Sequence, residues 1–119
     1  MHKILKYEPI KHYSQAEIDK AVKDNDADRL LLMVLSVALY SDDHEYAEEF
    51  CVRFSNHEHS GVRANALQGF GHIARIDEKL NEELVKPVIK KALKDENEFV
   101  RGEAIDAKDA TKHFLKWKY

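Results

Sequence analysis

The sequence predicts an all-α fold, an α-solenoid of about three helical hairpins with six main helices. Three observations carry this reading. Residues 95–107 align with residues 57–69 at an offset of 38 positions, with Val100-Arg101 on Val62-Arg63, Ala104 on Ala66, Ile105 on Leu67 and Ala107 on Gly69. The same offset continues upstream, where Val88, Ile89 and Ala92 fall on Phe50, Cys51 and Phe54. A period near forty residues, with two helical apolar patterns in each unit, marks a helical repeat array. Finally, the 119 residues include only four Gly and two Pro, as expected of helices joined by short polar turns.

The elements follow in order. Residues 1–13 are expected to form an extended arm or one short turn, because Pro9 disfavours helix at Glu8. Ser14-Gln15-Ala16-Glu17 is a capping-box pattern, and it opens a helix that carries Ile18, Ala21 and Val22 inward and ends near Asp24. Asn25, Asp26 and Asp28 supply a turn and a new N-terminus. The next helix, Ala27 to Tyr40, has hardly any polar face, so it lies at the centre of the array or forms an interface through Leu30–Leu39. Ser41-Asp42-Asp43 starts the third helix, whose stripe is Tyr46, Ala47, Phe50, Cys51 and Phe54.

Ser60 is expected to cap the fourth helix, with Val62, Ala66, Leu67, Phe70, Ile73 and Ala74 inward. Gly69 and Gly71 cost roughly 1 kcal/mol each against Ala inside that helix, which close approach of a neighbouring helix would explain. Residues 77–81 connect to a fifth helix carrying Leu84, Val85, Val88, Ile89, Ala92 and Leu93. Pro87 kinks that helix or marks its first turn. Asn97 caps the sixth, with Val100, Ala104, Ala107, Thr111 and Phe114 inward. Trp117 and Tyr119 are expected to fold back over it, with a contact to a partner as the alternative. The chain then reads as one domain, 1–119, with an arm (1–13) and repeats at 14–40, 41–76 and 77–119.

Composition narrows the function. A net charge of −3 weakens any case for nucleic-acid binding, which rests on clustered Lys and Arg. A single cysteine, Cys51, excludes an internal disulfide and a multi-cysteine zinc site, and its apolar neighbours imply a buried thiol. The arm has no apolar core of a signal peptide, and the Leu30–Leu35 run is far short of the roughly 20 residues that span a bilayer. A cytoplasmic location without membrane association is the expectation. No phosphate loop, nucleophile elbow or paired acid/base motif appears, so no catalytic residue and no cofactor is assigned. His57 and His59, at i, i+2 in a turn, are the weak metal candidates, with His44 and His72 as candidate further ligands nearby.

The segment Asp95-x5-Arg101, with Val100, Ala104 and Ala107, resembles the signature of the HEAT-repeat family, in particular its short bacterial and bilin-lyase-type form. Val62-Arg63-Ala64-Asn65-Ala66 carries the same half-signature, with His57 where the family has Asp. The resemblance covers residues 44–114 well and 14–40 by pattern. It implies that Asp95, Arg63 and Arg101 are structural, as members of an Asp–Arg ladder between neighbouring HEAT-like helical hairpins. It also implies that the second helix of each pair lines a concave face. Its outward positions are then Asn65, Gln68 and His72 in one repeat and Glu103, Asp106 and Asp109 (or Ala110) in the next. The i, i+3, i+6 spacing brings those three carboxylates near one side. Asp42, Asp43, Glu45, Glu48 and Glu49 make a second acidic cluster, from which Glu45 and Glu49 are taken as partner-binding. Deoxyhypusine hydroxylase, built of similar repeats, holds iron through His-Glu pairs just after the Val-Arg. Ala64-Asn65 and Gly102-Glu103 stand there instead, so that activity does not carry over.

The functional expectation is a non-enzymatic protein-binding module, monomeric or weakly dimeric, whose acidic concave face meets a basic protein. Its size and charge suggest a bacterial immunity protein that blocks a toxin or nuclease domain. The alternatives are an adaptor or scaffold subunit that binds a larger enzyme through Leu30–Leu39, and a small metal-dependent enzyme using His57, His59 and His72.

Overall fold

Every helix begins on a polar residue whose side chain accepts a backbone N–H of its own first turn. The caps are Ser14, Asp26, Asp43, His59, Asn81 and Asn97. They open α1 (Gln15–Asp24), α2 (Ala27–Tyr40), α3 (His44–Phe54), α4 (Ser60–Asp77), α5 (Glu82–Ala92) and α6 (Glu98–Leu115). The computed structural model describes residues 10–119; these hold six helices and no strand. Pro9 and the arm before Ile10 lie outside the described residues.

The capping box at Ser14 forms in both directions, between its side chain and the Glu17 N–H and between the Glu17 carboxylate and the Ser14 N–H. One cap differs from expectation. His59, not Ser60, caps α4, because its Nδ1 accepts from Gly61 N–H at 3.1 Å. An imidazole nitrogen there replaces the more usual hydroxyl or carboxylate.

α2, α4 and α6 pack side by side with α4 in the middle; α1 rests on α2, α3 on α2 and α4, and α5 on α6. The core runs through all of them. Leu30, Met33, Val34, Val37 and Ala38 bury α2 in that centre, and of its leucines only Leu32 is exposed. The apolar helix is therefore core, covered by three neighbours. Gly69 lets α3 and α2 come close, since a Cβ there would stand 2.6 Å from Cys51 Sγ and 3.2 Å from Ala38 Cβ. Gly71 does nothing comparable, as its Cβ would meet Ala110 Cβ at an ordinary 3.8 Å. Cys51 is fully buried and burial pushes its thiol up to about 12.

Three side chains are placed otherwise than the pattern implied. Phe114 is exposed rather than inward. α6 ends at Leu115, and Lys116 turns the chain in the left-handed region (φ 61°), which seats Trp117 in the core instead. Tyr119 follows it back, its hydroxyl 2.7 Å from Thr111 Oγ1. Glu48, expected in an acidic cluster, is buried and accepts the N–H of Asn81 at 2.9 Å, tying α3 to the start of α5. Pro87 is not in the first turn of α5 but one turn further, on the exposed side, where its missing N–H leaves the Glu83 carbonyl to water. Among the described residues no helix is long and apolar enough to cross a membrane.

Candidate functional site

The two matching turns are built alike. Before α6, Asp95 Oδ1 accepts the N–H of Asn97 at 2.9 Å, and the Arg101 guanidinium donates to the carbonyls of Asp95 and Glu96. Before α4, His57 Nδ1 accepts the N–H of His59 at 2.9 Å, and Arg63 donates to the carbonyls of His57 and Glu58. Arg63 then reaches the next turn and clasps Asp95 with two N–H groups at 3.0 Å each. With Nδ1 an acceptor, His57 donates through Nε2 to Asn25 Oδ1 at 2.7 Å. The imidazole thus does for α1–α2 what a carboxylate does one turn later.

These bonds decide several candidates. His57 uses both ring nitrogens in the turn and His59 its Nδ1 in the cap, and His72 lies thirteen residues along α4 from His59, about 20 Å away. His44 bonds Asp77 at 2.7 Å instead. Among the described residues no group of three or more His, Cys, Asp or Glu is placed to hold a metal ion. A wide cleft of about 790 Å³ beside the turns is lined by Arg53, His57, Arg63, Lys91 and Asp95. Most of these polar groups are already paired, Lys91 with Asn56 at 3.2 Å.

A second depression, of about 330 Å³, lies between α4 and α6. It gathers four of the expected residues, Gln68 and His72 from α4 with Glu103 and Asp106 from α6, over a floor that includes Leu67 and Ala107. Two further groups were not anticipated, Arg75 and Phe114. Their signal was present, since Arg75 is three residues after His72 and Phe114 eleven after Glu103, both helical repeats of a groove position. Arg75 donates to His72 Nδ1 at 3.3 Å. Burial and that neighbouring cation lower the His72 pKa, so the ring is neutral at neutral pH. Burial raises the Glu103 pKa, and the charge of Asp106 adds to the shift.

The other expected residues lie elsewhere. Asn65 donates to the Leu31 carbonyl at 2.7 Å and so ties α4 to α2. Asp109 is exposed but does not line the groove; Ala110 does. Each step of three residues turns back about 60° around a helix, so Asp109 stands about 120° from Glu103. Glu45 and Glu49 are exposed on α3 and line neither depression. No protein-family model, no curated protein and no solved structure matches this chain.

Proposed function

We propose that the chain is a HEAT-like solenoid of three helical hairpins that works as a non-enzymatic protein-binding module, with the α4–α6 groove as its recognition site. The observation that carries this is Glu103. Its carboxylate is half-buried beside Asp106, and both influences on it disfavour the charge, with no cation among the described residues offsetting them. A desolvated carboxylate next to a like charge is an incomplete arrangement that a Lys or Arg completes. The groove floor of Leu67 and Ala107, with Phe114 at its edge, offers apolar surface to the stem of such a side chain.

The ligand on this reading is a basic segment of another protein. A small array with a net charge of −3 suits an inhibitor that occludes a basic toxin or nuclease domain, as an immunity protein does. Recognition is narrower than a broadly acidic face would give. Arg75 lies in the same groove, so selectivity rests on the Glu103–Asp106 end and on the apolar floor.

The test is capture of binding proteins from the native lysate at low salt by the wild-type chain and by Glu103→Lys/Asp106→Lys. A basic protein held by the first, released by salt and not held by the second, supports the reading. Identical retention by both would sink it.

A further inference from the structure

The side of α6 turned away from α4 repeats an interface that is already filled one hairpin earlier. On α4 the corresponding arginine, Arg63, is anchored by two carbonyls of its own turn and grips a carboxylate of the next helix pair. Arg101 is anchored in the same way, at 2.7 and 3.2 Å, but its remaining N–H groups make no ion pair among the described residues. Beside it Ile105 is half-exposed at 51%, and a Cβ at Gly102 would meet nothing within 4 Å.

Charge is sorted across this face. With Ile105 at the centre, Glu98 and Asp109 stand about 20–40° to one side, and Arg101 and Lys112 about 20–40° to the other. All four are exposed. One edge is acidic and the other basic. We infer that this face binds a second copy of the chain, α6 lying parallel to α6 about a two-fold axis along the helices.

That operation sets each acidic edge against a basic one. Glu98 meets Arg101 of the second copy, Asp109 meets Lys112, and each pair occurs twice because the contact is isologous. Ile105 packs on its own counterpart, and Gly102 leaves room for the approach. An antiparallel pairing brings like edges together, Glu98 near Asp109, and is disfavoured. The contact is one helix face wide, so the dimer is weak and reversible. Glu103 and Asp106 lie about 100–160° around α6 from Ile105, so the groove stays open in the dimer.

Sedimentation velocity over a concentration series tests this on the full chain. Dimerisation of the wild type is expected, with Ile105→Asp monomeric. Asp109→Lys and Lys112→Asp, at exposed sites clear of the core, should each raise the dissociation constant roughly tenfold. Asp109→Lys/Lys112→Asp together should return it to the wild-type value, because the swapped charges again oppose. A wild type that stays monomeric overturns the inference. So does a dimer that Ile105→Asp and the single charge changes leave untouched, or a double variant no better than either single one.

Discussion

Arg63 and Asp95, 32 positions apart in sequence, form a two-pronged ion pair in which both side chains are largely shielded, 13% and 16% exposed. The same guanidinium satisfies two carbonyls of its own turn, so one side chain closes the α3–α4 connection and fastens it to the α5–α6 connection. Arg101 closes its own turn only.

That asymmetry gives the first expected outcome. Arg63→Ala should lower unfolding free energy by about 2 kcal/mol, because it strands a shielded carboxylate and two carbonyls. Arg101→Ala, which strands carbonyls near water, should cost about 0.5 kcal/mol. Urea unfolding of the two variants compares them, and equal losses would contradict the rung between turns.

The pair also sets an acid dependence. The hydrogen bonds from Arg63, foremost, hold the Asp95 carboxyl below its ordinary value of 3.8. A lowered folded pKa contributes stability that is complete above the unfolded pKa and is lost as pH falls through the folded one. Wild type should therefore lose stability on acidification below about pH 4 more steeply than Asp95→Asn. Parallel acid limbs for the two proteins would count against it.

Glu103 has the opposite sign. Its folded pKa is raised, first by burial and then by Asp106, so its charge works against folding once pH exceeds the folded pKa. Glu103→Gln should be more stable than wild type at pH 7, by up to about 0.5 kcal/mol given its partial exposure. The gap should close as pH falls through the folded pKa towards the unfolded one. Thermal melts at several pH values read this directly. A stabilising change that abolishes partner capture would mark a carboxylate kept for binding.

Gly69 and Gly71 of α4 should respond in opposite directions. Gly69→Ala puts a methyl 2.6 Å from Cys51 Sγ, and the overpacking, about 1–3 kcal/mol, should outweigh the propensity gain of about 1 kcal/mol. Gly71→Ala meets only ordinary contact and should stabilise by about 0.5–1 kcal/mol. Chemical denaturation of each variant is the check, and a loss at Gly71 would mean that its glycine is needed for something other than space.

Much of this was legible in the residues because helices are set locally. The Ser14–Glu17 box, the Asn97 cap and the i, i+4, i+7 spacing of Val85, Ile89 and Ala92 each depend on neighbours within a turn or two. The offset of 38 between the two Val-Arg pairs likewise pointed to a shared turn design, which Arg63 and Arg101 carry out with the same carbonyl bonds. His57 stood out as a departure from that design, but its answer, Asn25, lies 32 residues away and could not be found by pattern.

The sequence by itself determined the six helices, several of their caps and the core face of most of them, since local hydrogen bonding and apolar period act within one segment. Only the tertiary structure decided which polar groups are free. Asn65, Glu48 and His57 look like surface residues in sequence, yet each is bonded to a distant helix or turn. Gln68, His72, Glu103 and Asp106 meet in a groove because α4 and α6 lie side by side. Asp109, on the same helix and only three residues on, is rotated out of it. Whether a polar side chain is spent on the fold or left for a partner depends on contacts between segments far apart in the chain, and no local rule supplies them.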